Sequence, residues 1–306
     1  MEAPPITVLV PTHARPQLLK RTLMSLTRCA IPKTYRELIV VENGSRDGAE
    51  AIIDSLPDRL NTRYIHRHRG NKSRALNEAL ATIRDGLVVF FDDDVRMSAN
   101  VLLAYAEAAR GIHRGVFFGG PTGVDYEQPP PAGWLMDYLP PSAKGWRLDE
   151  EVIKSKFEHF LGFNWAAFAK DLRSLNGFSE QFGPGTPRTG QETDMQQRLR
   201  AAGVKQLFVR GATVWHYVPN ARCTPLWTLH RHYRNGMTEG ALRHYNTPTL
   251  LGIPKWTIRE TGRSLYMAAR DMLRGNGVAA FSSAVNICRY LGVIRGVHQH
   301  VNHTAA

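Results

Sequence analysis

The chain has 306 residues, 43% of them hydrophobic and 22% charged, which excludes general disorder and suffices for one large α/β domain with an appendage. Three distant cysteines (Cys29, Cys223 and Cys288) fit neither a metal-site spacing nor a disulfide framework, so they favour a reducing compartment. The formal net charge is +12, and residues 221–306 alone carry 11 lysines and arginines against 3 acids. This excess favours an anionic partner, such as a membrane surface, a phosphorylated substrate or nucleic acid.

The N-terminal residues carry no recognisable targeting signal. They lack the basic and apolar regions of a signal peptide, and strand-like residues follow at once. The chain also has no uninterrupted apolar run of about 18 residues, the length that a membrane-spanning helix requires. We therefore expect a cytoplasmic protein without a signal peptide or a transmembrane helix.

Strands and helices alternate through the first 110 residues. Each predicted strand is a short apolar run, and each predicted helix has apolar residues at three- and four-residue spacing. Such alternation is typical of a parallel, Rossmann-like sheet. The predicted strands cover residues 6–10, 37–41, 63–66 and 87–91, and helices are predicted at about 73–84 and from about 101.

Three adjacent carboxylates, Asp92, Asp93 and Asp94, directly follow the fourth predicted strand. Like charges this close repel one another, so a fold that gathers them needs a cation nearby. The carboxyl ends of strands in open α/β sheets are where ligands bind, and hard oxygen ligands suit Mg²⁺ or Mn²⁺. The alternative interpretation is a solvated acidic turn that precedes the next helix.

The pattern loosens after residue 120. A proline-rich stretch over residues 121–150 contains Trp134 and predicts a long loop, and a second compact segment follows over residues 157–182. A helix is predicted from Gln191 to about residue 202, with Glu192 and Asp194 in its first turn, where the helix dipole alone favours acids. Short strands precede His216, and basic, aromatic helices follow residue 225.

Several stretches in this order resemble the family 2 inverting glycosyltransferases with the GT-A fold. They are Pro11-Thr12-His13-Ala14-Arg15-Pro16, Glu42-Asn43-Gly44-Ser45, the Asp92–Asp94 strand end, Asn176-Gly177-Phe178 and Gln191-Glu192. The resemblance covers about residues 5–220. It implies a Rossmann-like, mostly parallel mixed sheet flanked by helices. It also implies a glycosyltransferase domain over residues 1–220, with a nucleotide-binding half to about 120 and an acceptor-binding half after it. Residues 221–306 would form a basic helical extension.

The resemblance also implies roles for individual residues. Asp92 and Asp94 would form the family's Asp-x-Asp motif and, with His216, hold Mn²⁺ or Mg²⁺, with Asp94 as the most direct ligand. Glu192 falls where the family places its catalytic base, and Asp194 is the alternative. Glu42 stands where the family usually has Asp. The residues implied to bind the nucleotide are Pro11, Thr12, Arg15, Glu42, Asn43, Lys72, Arg74, Asp92 and Asp93.

The acceptor site and the basic extension each leave two interpretations open. Asn164, Trp165 and Trp134 are candidates to line an acceptor site, because aromatic faces suit sugar rings, or else they are hydrophobic contacts under a lid. The C-terminal helices are candidates for peripheral binding to an anionic membrane, where lipid-linked acceptors reside, or else they pack on the core or form a dimer contact.

The function that the resemblance implies is metal-dependent, inverting transfer of a sugar from a nucleotide-sugar donor, with UDP as the nucleotide common among similar proteins. The acceptor would be a hydroxyl of a glycan or lipid-linked saccharide, in cell-surface polysaccharide synthesis. One rival is a sugar nucleotidylyltransferase, which normally has an early glycine-rich phosphate loop; residues 11–16 contain no glycine. The others are a nucleic-acid-binding protein, for which no motif appears, and a non-catalytic protein of the same fold.

Overall fold

The computed structural model describes residues 2–146, 159–186, 188–242, 248–250 and 252–304, with the backbone alone for 242 and 299–304. The chain divides into two compact units. The first comprises Met1–Asp125, Lys144–Gly185 and Gly190–Tyr217, and the second comprises Tyr126–Ala143, Thr186–Thr189 and Val218–Ala306. The predicted division at residue 220 stays a prediction.

A mixed sheet of seven strands, counted over the described residues, forms the centre of the first unit. Its spatial order is β3-β2-β1-β4-β8-β6-β9, and a smaller sheet has the order β5-β10-β7. The first four strands of the large sheet run parallel, whereas β8 runs antiparallel to both of its neighbours. The strands are β1 (Ile6–Thr12), β2 (Tyr35–Asn43), β3 (Thr62–Arg67), β4 (Leu87–Phe90), β5 (Val95–Met97), β6 (Val116–Gly119), β7 (Thr122–Tyr126), β8 (Trp165–Phe168), β9 (Lys205–Phe208), β10 (Val214–Val218), β11 (Thr249–Leu250) and β12 (Ile253–Pro254).

The helices cover both faces of the large sheet because successive strand residues point to opposite sides. In β1, Val8 and Val10 enter the core cluster that includes helix α1, whereas Leu9 enters the cluster that includes α3. Both faces are apolar, which is typical of parallel strands buried on two sides. The helices are α1 (Pro16–Leu26), α2 (Ala49–Asp54), α3 (Lys72–Thr82), α4 (Val101–Ala108), α5 (Gly133–Met136), α6 (Pro141–Lys144), α7 (Ala169–Ser174), α8 (Gln191–Ala201), α9 (Pro225–Leu242), α10 (Lys255–Leu273) and α11 (Gly277–Thr304).

The parallel part of the sheet and its helices confirm the alternation predicted from the sequence. Three local predictions were wrong. The proline-rich stretch is not only a loop, because β7 lies within it. His216 lies inside β10 rather than after a strand, paired with Val95 of β5. The strand before the first loop runs on to Thr12. The predicted compact segment over 157–182 begins at residues outside the described ones.

The second unit contains the three long helices predicted from the basic C-terminal sequence. Helices α9 and α11 approach each other closely at glycines: a Cβ atom on Gly292 would lie 2.1 Å from the Tyr233 carbonyl oxygen, and one on Gly236 would lie 2.1 Å from that of Arg289. Within α11, residues Gly277–His298 are long and apolar enough to cross a membrane, a criterion that core helices of soluble proteins also meet. The sequence has no uninterrupted apolar run of about 18 residues, but that observation does not decide whether this helix enters a membrane.

Candidate active site

The ends of β1 and β4 lie side by side, which brings the first loop against the aspartates. Thr12 donates a hydrogen bond from Oγ1 to Asp93 Oδ2 (2.7 Å). Arg15 places Nη1 3.1 Å from Asp94 Oδ2 and 3.5 Å from Asp93 Oδ1. Burial, followed by the neighbouring charge of Asp94, raises the pKa of the Asp93 carboxyl to about 6. The site therefore gathers negative charge that one arginine only partly offsets.

Asp94 and His216 form a buried pair beside this loop. His216 Nε2 lies 3.4 Å from Asp94 Oδ1, and the imidazole stacks on Phe163 with 4.7 Å between ring centres. The described residues contain no group of three or more His, Cys, Asp or Glu side chains suited to hold a metal ion. A carboxylate and an imidazole nevertheless fit Mn²⁺ or Mg²⁺, because these ions commonly complete their coordination with water and substrate phosphates.

Asp92 lies in a different setting from Asp94. It accepts a hydrogen bond from Lys72 Nζ at 2.5 Å, and Lys72 is held at the start of α3. Burial alone would lower the pKa of the Lys72 amine, but the Asp92 carboxylate overrides it and raises that pKa. Pro11, Lys72, Asp92, Trp165 and Glu192 line one small cavity at this edge of the sheet. Three of the predicted nucleotide-binding residues and one predicted catalytic residue therefore meet there.

The two acids at the start of α8 have different surroundings. Glu192 borders the cavity and its carboxylate lies over Gly162, where a Cβ atom would be 3.1 Å from Glu192 Cδ. Asp194 accepts hydrogen bonds from Nε (2.9 Å) and Nη2 (2.6 Å) of Arg198, one turn along the same helix. Arg198 also donates to the carbonyl oxygens of Leu175 and Gly177. Asp194 therefore belongs to a packing network that anchors the helix.

Glu42, predicted to contact the nucleotide, has both carboxylate oxygens engaged inside the protein. Oε1 accepts hydrogen bonds from the backbone amides of Asp47 (2.8 Å) and Ala49 (3.4 Å), and Oε2 accepts one from the Tyr64 hydroxyl. Burial and the bond to Glu42 raise the pKa of the Tyr64 hydroxyl. Glu42 thus stabilises the turn between β2 and α2. Its neighbour Asn43 accepts a bond from the Asn71 amide (2.9 Å) and fixes the approach to α3.

The remaining predicted residues are scattered. Arg74 pairs with Glu180, with Nε 2.9 Å from Oε2. Asn164 is fully buried, and its amide is bonded to Tyr105, Pro121 and Ala212 within the core. Trp165 is also buried, stacked on Phe90, although it borders the cavity. Trp134 lies in the second unit, edge-on to Phe281.

Sequence reasoning missed Gly162 and Phe163, which shape the site from the segment before β8. Gly162 leaves room for the Glu192 carboxylate, and Phe163 supports the His216 ring. The signal was present in the stretch Gly162-Phe163-Asn164-Trp165, where a glycine precedes two aromatic residues. Tyr64, the partner of Glu42, gave no comparable signal, because a tyrosine in a strand is ordinary.

Comparison with known proteins decides the family. The model of glycosyl transferase family 2 matches residues 7–170 of the chain. The chain belongs to glycosyl transferase family 2. This confirms the resemblance seen in the sequence, and the chain is a glycosyltransferase rather than a sugar nucleotidylyltransferase.

Two curated relatives illustrate the family. The chain is 29% identical to the succinoglycan biosynthesis protein ExoM of Rhizobium meliloti (strain 1021), over 78% of this chain and 74% of that protein. It is 28% identical to the GalNAc(5)-diNAcBac-PP-undecaprenol beta-1,3-glucosyltransferase of Campylobacter jejuni, over 58% of this chain. The match spans just over half, 56%, of the Campylobacter protein.

Solved structures confirm the GT-A fold. The mannosyltransferase PcManGT of Pyrobaculum calidifontis, solved with GDP-Man and Mn²⁺, superposes with a TM-score of 0.56 at 17% identity, covering 99% of this chain and 76% of that one. TarS 1-349 of S. aureus superposes with a TM-score of 0.53 at 15% identity, covering 92% and 90%. The mixed sheet with its antiparallel β8 is thus the sheet of a GT-A glycosyltransferase.

Proposed function

We propose that this enzyme transfers a sugar, with inversion, from a nucleotide-diphosphate sugar to a hydroxyl of a glycan or lipid-linked saccharide. One observation carries the proposal: Lys72, Asp92 and Glu192 line a single cavity at the strand ends, and Asp94, two residues after Asp92, faces His216 of β10. An ammonium group, a buried acid–imidazole pair and a separate carboxylate are the groups that binding a diphosphate and deprotonating a hydroxyl require.

The donor's nucleotide would lie over the carboxyl ends of β1 and β2. Pro11, Thr12, Arg15, Asn43 and Asp93 surround this edge, with Lys72 and Asp92 at the cavity side. Glu42 would act here by holding the β2–α2 turn, and Arg74 by holding Glu180. UDP is the nucleotide that we propose first, and the named neighbour with GDP-Man makes GDP the second candidate.

Asp94 and His216 would hold Mn²⁺ or Mg²⁺. The bound ion would supply positive charge that stabilises the diphosphate as it departs. One named structural neighbour, PcManGT, contains Mn²⁺, which supports this assignment for the fold. Lys72 adds a second positive charge from the protein, and its pairing with Asp92 keeps it charged.

Glu192 is the general base in this mechanism. Its carboxylate takes the proton from the acceptor hydroxyl while the acceptor oxygen bonds to the anomeric carbon. The bond from that carbon to the diphosphate oxygen breaks on the opposite face, and the electron pair leaves with the nucleotide. One displacement inverts the anomeric centre without a protein nucleophile. Asp194 is the less suitable base, because Arg198 already holds its carboxylate.

The names of two relatives support the acceptor class that we propose. One takes its name from the synthesis of a polysaccharide, succinoglycan, and another from a diphosphate-undecaprenol saccharide. We propose an acceptor of this general kind and a role in cell-surface polysaccharide synthesis. Trp165, which borders the cavity, is the proposed acceptor contact of the first unit, whereas Asn164 would support it from the core.

The donor and the metal can be tested together by calorimetric titration. UDP, GDP and dTDP are titrated into the enzyme with and without Mn²⁺. We expect one nucleotide to bind, and to bind more tightly with Mn²⁺, because Asp94 and His216 would hold the ion and its positive charge would attract the phosphates. An Asp94→Asn enzyme should lose the metal-dependent part of the affinity. Equal affinity of both proteins in the presence of Mn²⁺ would remove Asp94 from the metal site.

The base can be tested by replacing Glu192 with Gln, which keeps the shape and removes the charge. We expect turnover to fall by about 10²- to 10⁴-fold, with nucleotide affinity unchanged, since a general base typically contributes that much. Asp194→Asn is the matched control and should keep most of the turnover while lowering thermal stability. The opposite result, loss in the Asp194 variant and activity in the Glu192 variant, would transfer the role to Asp194.

A peripheral membrane location is part of the proposal. Six apolar side chains of α10 and the start of α11 are exposed: Ile258, Leu265, Tyr266, Met272, Leu273 and Val278. Exposed arginines stand among them, and Lys255–Val278 carries five basic residues against two acids. An apolar cluster bordered by cations suits the headgroup region of an anionic bilayer. The enzyme would work at the cytoplasmic face of the membrane, where a lipid-linked acceptor is accessible.

A further inference from the structure

A groove of about 260 Å³ runs along helix α1 in the first unit, outside the cavity that holds Glu192. Leu18, Arg21 and Ser25 line it from α1, and Arg28 lines it from the turn that follows the helix. The three helical residues recur at three- and four-residue spacing, so they lie on one face of α1. The groove therefore follows this face and the turn after it.

The opposite wall of the groove holds a neutralised arginine. Arg96 makes a two-pronged ion pair with Asp125, at 2.8 and 2.9 Å, and its guanidinium lies over the Trp215 ring at 4.1 Å. Its charge is thus balanced inside the protein. Asp125 is the one carboxylate besides Asp94 among the described residues that line the groove, and both already face arginines.

Arg21 of α1 and Arg28 of the following turn are not balanced in this way. The Arg21 guanidinium lies over the Tyr217 ring, 4.7 Å from its centre, which fixes its position without neutralising it. Within the described part of the chain, neither Arg21 nor Arg28 forms an ion pair with a carboxylate. They leave two positive charges that line the same groove.

The floor between these charges is apolar. Leu18, Met24 and Val95 line it, and Met24 remains 45% exposed although it is a large apolar side chain. Arginine side chains bind phosphate oxygens through paired N–H groups, and an apolar floor favours a hydrocarbon chain. The combination matches an amphiphile with a phosphate head better than free phosphate or a neutral sugar.

One end of the groove reaches the proposed transfer site. Asp94 lines the groove and also faces His216 and Arg15 in the active-site loop. A molecule in the groove therefore has one end beside the proposed metal ligand. Resting on the proposed function, we infer that the α1 groove binds the diphosphate and the adjoining lipid of an isoprenoid-diphosphate-linked acceptor. Arg21 and Arg28 would bind the phosphates.

The inference can be tested by binding of geranyl diphosphate to the full-length enzyme, with the nucleotide site saturated by UDP and Mn²⁺. We expect the wild-type enzyme to bind it, and an Arg21→Ala/Arg28→Ala enzyme to bind about 10- to 100-fold more weakly, as expected for the loss of two charge-assisted contacts. Arg210→Ala, which removes an exposed arginine outside the groove, is the matched control and should bind normally.

Inorganic pyrophosphate and geraniol separate the two parts of the ligand, and each should bind far more weakly than geranyl diphosphate. Equal binding of geranyl diphosphate by the wild-type and double-variant enzymes would overturn the inference, and so would wild-type binding of pyrophosphate as tight as that of geranyl diphosphate. UDP titration of both proteins keeps the two proposals apart. Normal UDP affinity without groove binding rejects only the groove, whereas absent UDP binding in the wild type rejects the donor site.

Discussion

His159 is a partly buried histidine of the first unit that the proposed chemistry does not use. Its Nδ1 accepts a hydrogen bond from Arg200 Nη2 at 3.0 Å, so the neutral imidazole is the form that fits. Burial, and then the charge of Arg200, lower the pKa of His159 from its ordinary value of 6.5 to about 4. Between these two pH values, His159 is therefore protonated in the unfolded chain but not in the folded protein.

We expect the contribution of His159 to the free energy of unfolding to be complete above pH 6.5. This contribution should be lost as the pH drops from 6.5 towards 4. The histidine's share of the loss is about 2–3 kcal/mol, from 1.36 kcal/mol for each pKa unit. Urea unfolding at pH 7 and pH 5 measures it. His159→Gln, which keeps an acceptor without titrating, should flatten the dependence, whereas replacement of the exposed His113 should leave it unchanged. A steep dependence in His159→Gln would refute the assignment.

Residue identity predicted one half of the candidate site well. Asp92, Asp93 and Asp94 follow a buried strand, and both the strand and its end are local patterns that a sequence contains. The surroundings of Asn164 and Glu42 could not be predicted in this way. Asn164 accepts a hydrogen bond in the core from Tyr105, which lies 59 residues away in the sequence. Glu42 accepts one from Tyr64 on the neighbouring strand. Such pairings depend on tertiary contacts that no local pattern specifies.

At the scale of whole elements, β8 was one of the strands that sequence patterns did not predict. It is four residues long and wholly buried, so it has no alternation of polar and apolar residues to mark it. It enters the sheet antiparallel, between β4 and β6, with Phe90 opposite Trp165. The helices and parallel strands were predictable because their apolar periods are long enough to be distinctive. Start and end points shifted by one or two residues, as helix and strand ends usually do.

Helices α9 and α11 give a prediction about packing within the second unit. Gly292→Ala places a methyl group where the Tyr233 carbonyl oxygen would be 2.1 Å away, and backbone atoms cannot move aside cheaply. We expect a loss of about 1–3 kcal/mol in unfolding free energy, the usual cost of overpacking. Gly262→Ala is the control, because nothing lies within 4 Å of its added methyl.

The Gly262→Ala enzyme should be more stable by about 0.5–1 kcal/mol, since alanine favours a helix over glycine. Thermal melts of both variants beside the wild type give the comparison. Equal effects of the two substitutions would show that the glycines serve flexibility rather than close approach of the helices.

The uneven charge of the whole molecule gives a prediction about membrane binding. We expect the enzyme to float with vesicles that contain anionic lipid, to float less with neutral vesicles, and to be released by high salt, because salt screens surface charges. Met272→Ser/Leu273→Ser removes the two most exposed apolar side chains of α10, 71% and 90% exposed, and should reduce flotation strongly. Leu207→Ser, at an exposed position of β9, is the control. Flotation unchanged by the double substitution would place the contact elsewhere.

The antiparallel insertion of β8 has a consequence for the time course of synthesis. One edge of β4 pairs with β1, which is synthesised before it. The other edge pairs with β8, whose first residue, Trp165, is synthesised 75 residues after Phe90. At about 5–20 residues per second, a ribosome needs about 4–15 s to supply that partner. Through this interval an apolar strand offers unpaired backbone groups, the usual starting point of aggregation. The nascent chain is thus most exposed to misassociation while the aspartates have been made and Glu192 has not, so slower translation before residue 165 would lower the soluble yield.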